Sequence, residues 1–193
     1  MLDQTEILTK NNNKKDDNQE KLVRSIRYHV KIDNHFMKCS RFYLVKDDEI
    51  IYMAKLKSEG DDVHLKDNNE KNGTKIKRDC RGYNIVKSEK HEFTIRYLKY
   101  GEKFAVCVSF PYKGEQRLWH PKKTKAHEFI KEDNSKKYIK SKKNIILENT
   151  LNHSTFILRK MSKKSYEIEC HKSVAPIIIF SIALSQIIGP IGV

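Results

Sequence analysis

Glycine and cysteine are scarce in this chain of 193 residues, with seven of the first and four of the second, and each scarcity removes a class of function. A phosphate-cradling loop needs several residues without a β-carbon so that backbone N–H groups can close on the phosphate, and no G-x-x-x-x-G-K occurs. G-x-S-x-G and H-E-x-x-H, the settings of a nucleophilic serine and of a catalytic zinc, are missing too. Cys39, Cys80, Cys107 and Cys170 stand far apart with no C-x-x-C pair, so they read as small buried hydrophobes rather than as ligands or bridges. The eight histidines are scattered, and the neighbours Cys170 and His171 lack the spacing to close on one metal. The composition therefore predicts a protein that is not an enzyme and holds no metal or cofactor. Residues 1–21 lack the apolar stretch of a signal peptide and include an Asn-, Lys- and Asp-rich run with no apolar residue, which predicts a disordered polar tail on an intracellular chain.

Charge is the other thing missing, and it is missing in one place. The last 21 residues, 173–193, carry none. Such a segment is a membrane anchor or a helix that the rest of the chain buries. Pro176 suits a first helical turn, and Gly189, Pro190 and Gly192 stop a helix, so the continuous run is about 176–188. At 1.5 Å per residue it spans roughly 20 Å, short of a hydrocarbon core of about 30 Å. Its isoleucines, with Phe180, Ala183 and Leu184, point in every direction, as in a helix surrounded by protein. Ser181 and Ser185 share a face, and their hydroxyls can bond back to carbonyls one turn earlier.

The rest of the chain supplies strands to surround it. Ile26, Tyr28, Val30 and Ile32 alternate with Arg27, His29 and Lys31, the period-2 pattern of a half-buried strand. The same reading selects 42–45, 50–57, 63–66, 83–87, 93–98, 104–110, 116–119, 144–147, 155–159 and 166–170, about eleven strands in all, with turn signals at 59–62, 72–73, 100–102 and 113–114. Closure removes the edges of an antiparallel sheet. A barrel of roughly a dozen strands has an interior too wide for side chains alone, and an apolar helix fills it. The predicted architecture is mainly β: a closed antiparallel barrel of about twelve strands over 22–193, around a central hydrophobic C-terminal helix.

These residues also resemble a family. Lys142-Lys-Asn-Ile-Ile-Leu-Glu148, Phe156-Ile-Leu-Arg-Lys160, Tyr166-Glu-Ile-Glu-Cys170 and Phe180-Ser-Ile-Ala-Leu-Ser185 are similar to the C-terminal end of the tubby domain, where two further strands lead from a Lys-Asn-apolar strand into a helix reading Phe-Ala-Ile-Ala-Leu-Ser. The resemblance is densest in the last 50 residues. It implies a twelve-stranded barrel closed around the helix, a fold the phospholipid scramblases share distantly.

The net charge is +14, and the tail contributes none of it, with four lysines against five acids. A cationic barrel attracts an anionic bilayer or a nucleic acid. Lys55 and Lys57, two apart on a strand, share a face about 7 Å apart, where together they can grip neighbouring phosphates of an inositol headgroup. Tubby domains bind phosphatidylinositol 4,5-bisphosphate through basic residues on a strand that follows an apolar run ending in Ala or Gly, and Ala54-Lys55-Leu56-Lys57 matches that pattern with fewer cations. Lys75, Lys77 and Arg78 form a further cluster able to extend the patch; it reads as a loop, as do the lysines at 122–125, 136–143 and 160–164. Trp119 reads as a core or rim aromatic, and Tyr97 and Tyr100, near Arg96 and Lys99, come nearest to a base-stacking platform. The resemblance implies a peripheral membrane adaptor in the cytoplasm, at the plasma membrane with a nuclear pool, and a protein cargo. The alternatives are a scramblase-like lipid handler and a nucleic-acid-binding or transcription-related barrel.

Overall fold

A computed structural model describes residues 25–35, 39–57, 62–67, 73–79, 82–87, 90–100, 103–112, 115–122, 138–150 and 154–189. The polar tail, Cys80, and Lys123, Lys125, Lys136 and Lys137 of the basic runs lie outside them. Twelve strands are described: β1 (Ser25–His35), β2 (Cys39–Lys46), β3 (Glu49–Leu56), β4 (Val63–Asp67), β5 (Thr74–Asp79), β6 (Gly82–Lys87), β7 (Lys90–Tyr100), β8 (Lys103–Tyr112), β9 (Glu115–Pro121), β10 (Ile145–Glu148), β11 (Ser154–Ser162) and β12 (Ser165–His171), followed by helix α1 (Pro176–Ile188). Each strand pairs antiparallel with its neighbour in sequence, and β1 pairs with β12, Val30 opposite Tyr166, to close the barrel.

The expected architecture is the observed one. The inward faces carry Val30, Leu44, Ala54, Leu65, Ile85, Ile95, Val108, Leu158 and Ile168, all essentially inaccessible to solvent. Among them runs α1, with Ile179, Phe180, Ile182, Ala183 and Leu184 at zero exposure. Burying a large aliphatic or aromatic side chain contributes about 1.5–3 kcal/mol, so Ile179, Phe180, Ile182 and Leu184 together supply an amount comparable to the roughly 5–15 kcal/mol by which a whole domain is stable. The two helix serines are satisfied from within, Ser181 Oγ donating to Ile177 O and Ser185 Oγ to Ile182 O, each at 2.8 Å. Trp119 is buried edge-on against Phe110, ring centroids 4.8 Å apart. Cys107 and Cys170 are buried and Cys39 half-buried, all as free thiols; burial, with the charge of Glu169, pushes the Cys170 thiol up to about 12, which suits a small apolar group. Apolar side chains inside and lysines outside is the reverse of the barrels that span outer membranes.

Two elements differ from the sequence reading. The cluster at 75–78 is not a loop but the middle of β5. Its inward residues are Thr74, Ile76 and Arg78, so a single aliphatic side chain carried the hydrophobic period, too little to register as alternation. Lys160 likewise lies within β11, half-buried, leaving Lys163 and Lys164 in the two-residue turn to β12. Asp47 and Asp48 make the β2–β3 turn, both at positive φ (50° and 64°) as a tight hairpin demands.

Residues 138–144 form a strap across the outside of β11 and β12. Ile139 N–H donates to Lys160 O at 2.8 Å, and Lys160 N–H to Asn144 Oδ1 at 2.8 Å. Beneath it Arg159 Nη1 sits 2.9 Å from Glu169 Oε2 and 3.4 Å from Glu167 Oε1, and Tyr138 Oη donates to the same Glu167 oxygen at 2.9 Å. Shielding ions in this way is weak evidence of net stabilisation; it fixes where the strap lies.

Deleting residues 176–193 is expected to abolish folding rather than leave a soluble barrel, since no other described side chains could fill the lumen. Ala183→Glu should be equally severe, because it buries a carboxylate without a partner. A truncated protein that stays monomeric and melts cooperatively in calorimetry would refute the filled-barrel account.

Candidate functional site: a basic face on the outer wall

The pairing register decides which charged side chains meet on the outer wall. Lys55 on β3 lies opposite Arg41 on β2 and His64 on β4, and His64 in turn lies opposite Lys75 on β5. Four basic residues therefore stand in one row across four strands. Neighbouring strands are about 4.8 Å apart, which sets Lys55 and Lys75 roughly 10 Å apart with the imidazole between them. One step further along the same outward faces stand Lys57 and Lys77. Lys55, Lys57, His64, Lys75 and Lys77 are all exposed.

Like charges directly opposite one another destabilise a sheet, so this row is not what folding alone would select. Arg41 is also opposite Asp33 on β1, which borders the row on that side. Asp62 marks its upper edge, with Oδ1 accepting from the Arg78 backbone N–H at 3.3 Å. Among the described residues no carboxylate forms an ion pair with Lys55, Lys57, Lys75 or Lys77. The result is a surface of several unneutralised lysines with spacings of about 7 to 10 Å, able to engage a ligand bearing more than one phosphate.

The pleat separates Arg78 from its sequence neighbours Lys75 and Lys77. It turns inward at the mouth where α1 ends, its Nη2 3.4 Å from Gly189 O and its guanidinium 5.7 Å above the Tyr83 ring. Tyr83 Oη donates to the same carbonyl, and Tyr97 Oη donates to Ser185 O at 2.6 Å. A helix leaves its last carbonyls without partners. Here two tyrosines and an arginine supply them, and Gly189, at φ 87°, closes the turn with its N–H on Ser185 O. A β-carbon at Gly189 would combine that backbone with a contact of 3.1 Å to Lys143 Nζ. Burial raises both tyrosine hydroxyls above their ordinary range. Burial, reinforced by Lys160, lowers the Lys143 ammonium. Tyr97 is thus committed to the lumen, edge-on to Tyr83 at 5.8 Å, and offers no open face for base stacking; the side chain of Tyr100 lies outside the described residues.

Lys55 and Lys57 were legible as a pair because they are two apart in one extended run, although β3 itself ends at Leu56, one residue before Lys57. His64 and Arg41 were not, since only the register brings them beside Lys55. Among the described residues no group of three His, Cys, Asp or Glu could hold a metal ion, and no helix is long and apolar enough to cross a membrane. Compared with known proteins, the chain matches no protein-family model and no curated protein.

The mouth and the outer face should separate by mutation. Tyr83→Phe is expected to lower stability by about 1–2 kcal/mol in urea unfolding, since it removes the buried donor to Gly189 O. Arg78→Met should be nearly neutral, because Nε and Nη1 of Arg78 are buried with no hydrogen-bond partner among the described residues. Lys77→Ala should leave the unfolding midpoint unchanged.

Proposed function

We propose that this protein binds phosphoinositide headgroups, phosphatidylinositol 4,5-bisphosphate among them, on the outer face of β3–β5, and that it acts as a peripheral membrane adaptor of the tubby-like kind rather than as an enzyme. The observation that carries the reading is the row itself: Lys55 and Lys75 flanking His64, with Lys57 and Lys77 on the same outward faces and no paired carboxylate among the described residues. A headgroup with phosphates on a compact ring needs cations from more than one direction, and the pleat and the register supply both. Lysine acts as a point charge where arginine would fork a phosphate, so the site favours charge density over bidentate geometry. The resemblance of 54–57 to the tubby headgroup strand agrees with this placement. Delivery of a protein cargo, residence at the cytoplasmic face of the plasma membrane and a nuclear pool extend the same proposal.

Liposome flotation tests it. Lys55→Ala with Lys57→Ala should leave the melting temperature nearly unchanged and weaken binding to vesicles containing phosphatidylinositol 4,5-bisphosphate about 30-fold, at roughly 1 kcal/mol per lost contact. Lys46→Ala with Lys172→Ala, at the opposite end of the barrel, is the control for bulk charge. Equal losses in the two variants, or equal binding to phosphatidylserine alone, would show that no headgroup site exists.

A further inference from the structure

Among the described residues the exposed acids are segregated along the barrel's axis. Strand directions alternate, so each connection belongs to one of two ends. One end, where α1 begins, carries the turn Asp47-Asp48 with Glu49, and the outer end of β7 with Glu92, beside exposed Lys66 and Lys172. Those four acids are the only exposed ones among the described side chains. The other end, where α1 finishes, carries Lys57 after β3, Lys140 and Lys142 in the strap, and Lys163 and Lys164 in the β11–β12 turn, all exposed. The two acids described near that end, Asp33 and Asp62, are only partly exposed.

We propose that this lysine rim is a docking surface for an anionic bilayer, and that the barrel sits on the membrane end-on, with the mouth at which α1 finishes facing the lipid. Three observations favour a bilayer over other polyanions. The five lysines stand on three separate connections at one end, where a plane meets them together. They are lysines, which serve a surface of laterally mobile charges without demanding a fixed phosphate geometry. Among the described side chains the exposed acids are gathered at the far end, where they offset Lys66 and Lys172, so an anionic plane draws the rim end more strongly, which orients the protein as well as holding it.

The rim is also built to keep its shape. Gln186 Nε2 on α1 donates to Lys142 O at 3.2 Å, and Lys164 O accepts from Ile32 N–H at 2.9 Å, so both lysine-bearing connections are tied to the barrel. The helix dipole leaves partial negative charge at this end, about half an elementary charge, which the lysines outweigh. The inference rests on the lipid-binding reading for the nature of the partner, yet the two surfaces share only Lys57: the rim would supply headgroup-independent affinity and orientation, and the β3–β5 row headgroup choice.

The experiment uses the full chain and phosphatidylcholine vesicles containing phosphatidylserine but no phosphoinositide. Lys163→Glu with Lys164→Glu, and separately Lys140→Glu with Lys142→Glu, should each reduce binding about 30-fold or more. Lys46→Glu with Lys172→Glu changes the net charge equally at the acidic pole and should alter binding little. Equal losses at the two poles, or full binding by both rim variants, would overturn the proposal. So would an oligonucleotide whose affinity falls more steeply than vesicle binding in the rim variants. Two rim pairs on separate connections guard against misfolding of one, and a melting curve screens each. Soluble inositol trisphosphate, measured by calorimetry, keeps the two claims apart: rim variants should bind it as the wild type does. If the wild type does not bind it, the headgroup site fails while the rim is still judged by the phosphatidylserine vesicles.

Discussion

Everything in this fold depends on what fills the lumen. Twelve strands close into a ring whose interior no set of alternating side chains can occupy alone, and α1 makes the ring a packed solid. The sequence meets that demand by an unusual concentration of apolar residues in one segment, which let charge dominate the rest of the chain without loss of a core. Because the inside is complete, the outer wall is free of packing duty, and cations can stand side by side there at modest cost.

The same helix organises the ends of the molecule. Its last carbonyls are met by Tyr83, Tyr97 and Arg78, three residues from strands that sequence distance separates from the helix by about a hundred positions. Polar groups that would have been surface features elsewhere are thereby drawn inward. Lys55 on β3 and the outer lysines of β5 keep their positions because the inward residues beside them, Ala54 and Ile76, are fixed in the core. Binding face and core are two sides of one pleat.

Much of this was legible beforehand. The helix announced itself by a charge-free run bounded by Pro176 and Gly189, and most strands by alternation strong enough to survive a lysine-rich composition. β5 was not legible, because Thr74 and Arg78 occupy inward positions usually marked by aliphatic residues. Arg78 was grouped with Lys75 and Lys77 by adjacency, whereas a strand sends neighbours to opposite faces. The row through Arg41, Lys55, His64 and Lys75 is set by inter-strand register, a relation between distant segments that one-dimensional spacing does not encode. The ionic cluster of Arg159, Glu167 and Glu169 was hidden for a related reason: alternation puts these residues on the outward faces of β11 and β12, and their burial comes from the strap at 138–144, a contact that spacing along the chain does not encode.

Chain order gives the filled lumen a temporal meaning. The strand that closes the ring and the helix that fills it are the last barrel elements to be synthesised, while β1, the partner of β12, is the first. Domains ordinarily fold as units while synthesis proceeds, but here no sub-assembly of early strands has a core to gather around, and the contacts that matter most join opposite ends of the chain. Until residue 188 is available, the nascent protein is a series of hairpins with exposed apolar faces and open edges, the species most in need of a chaperone's protection. Translation that stops short of the helix yields material for proteolysis, not a weakened protein, so completeness of synthesis becomes a condition of folding.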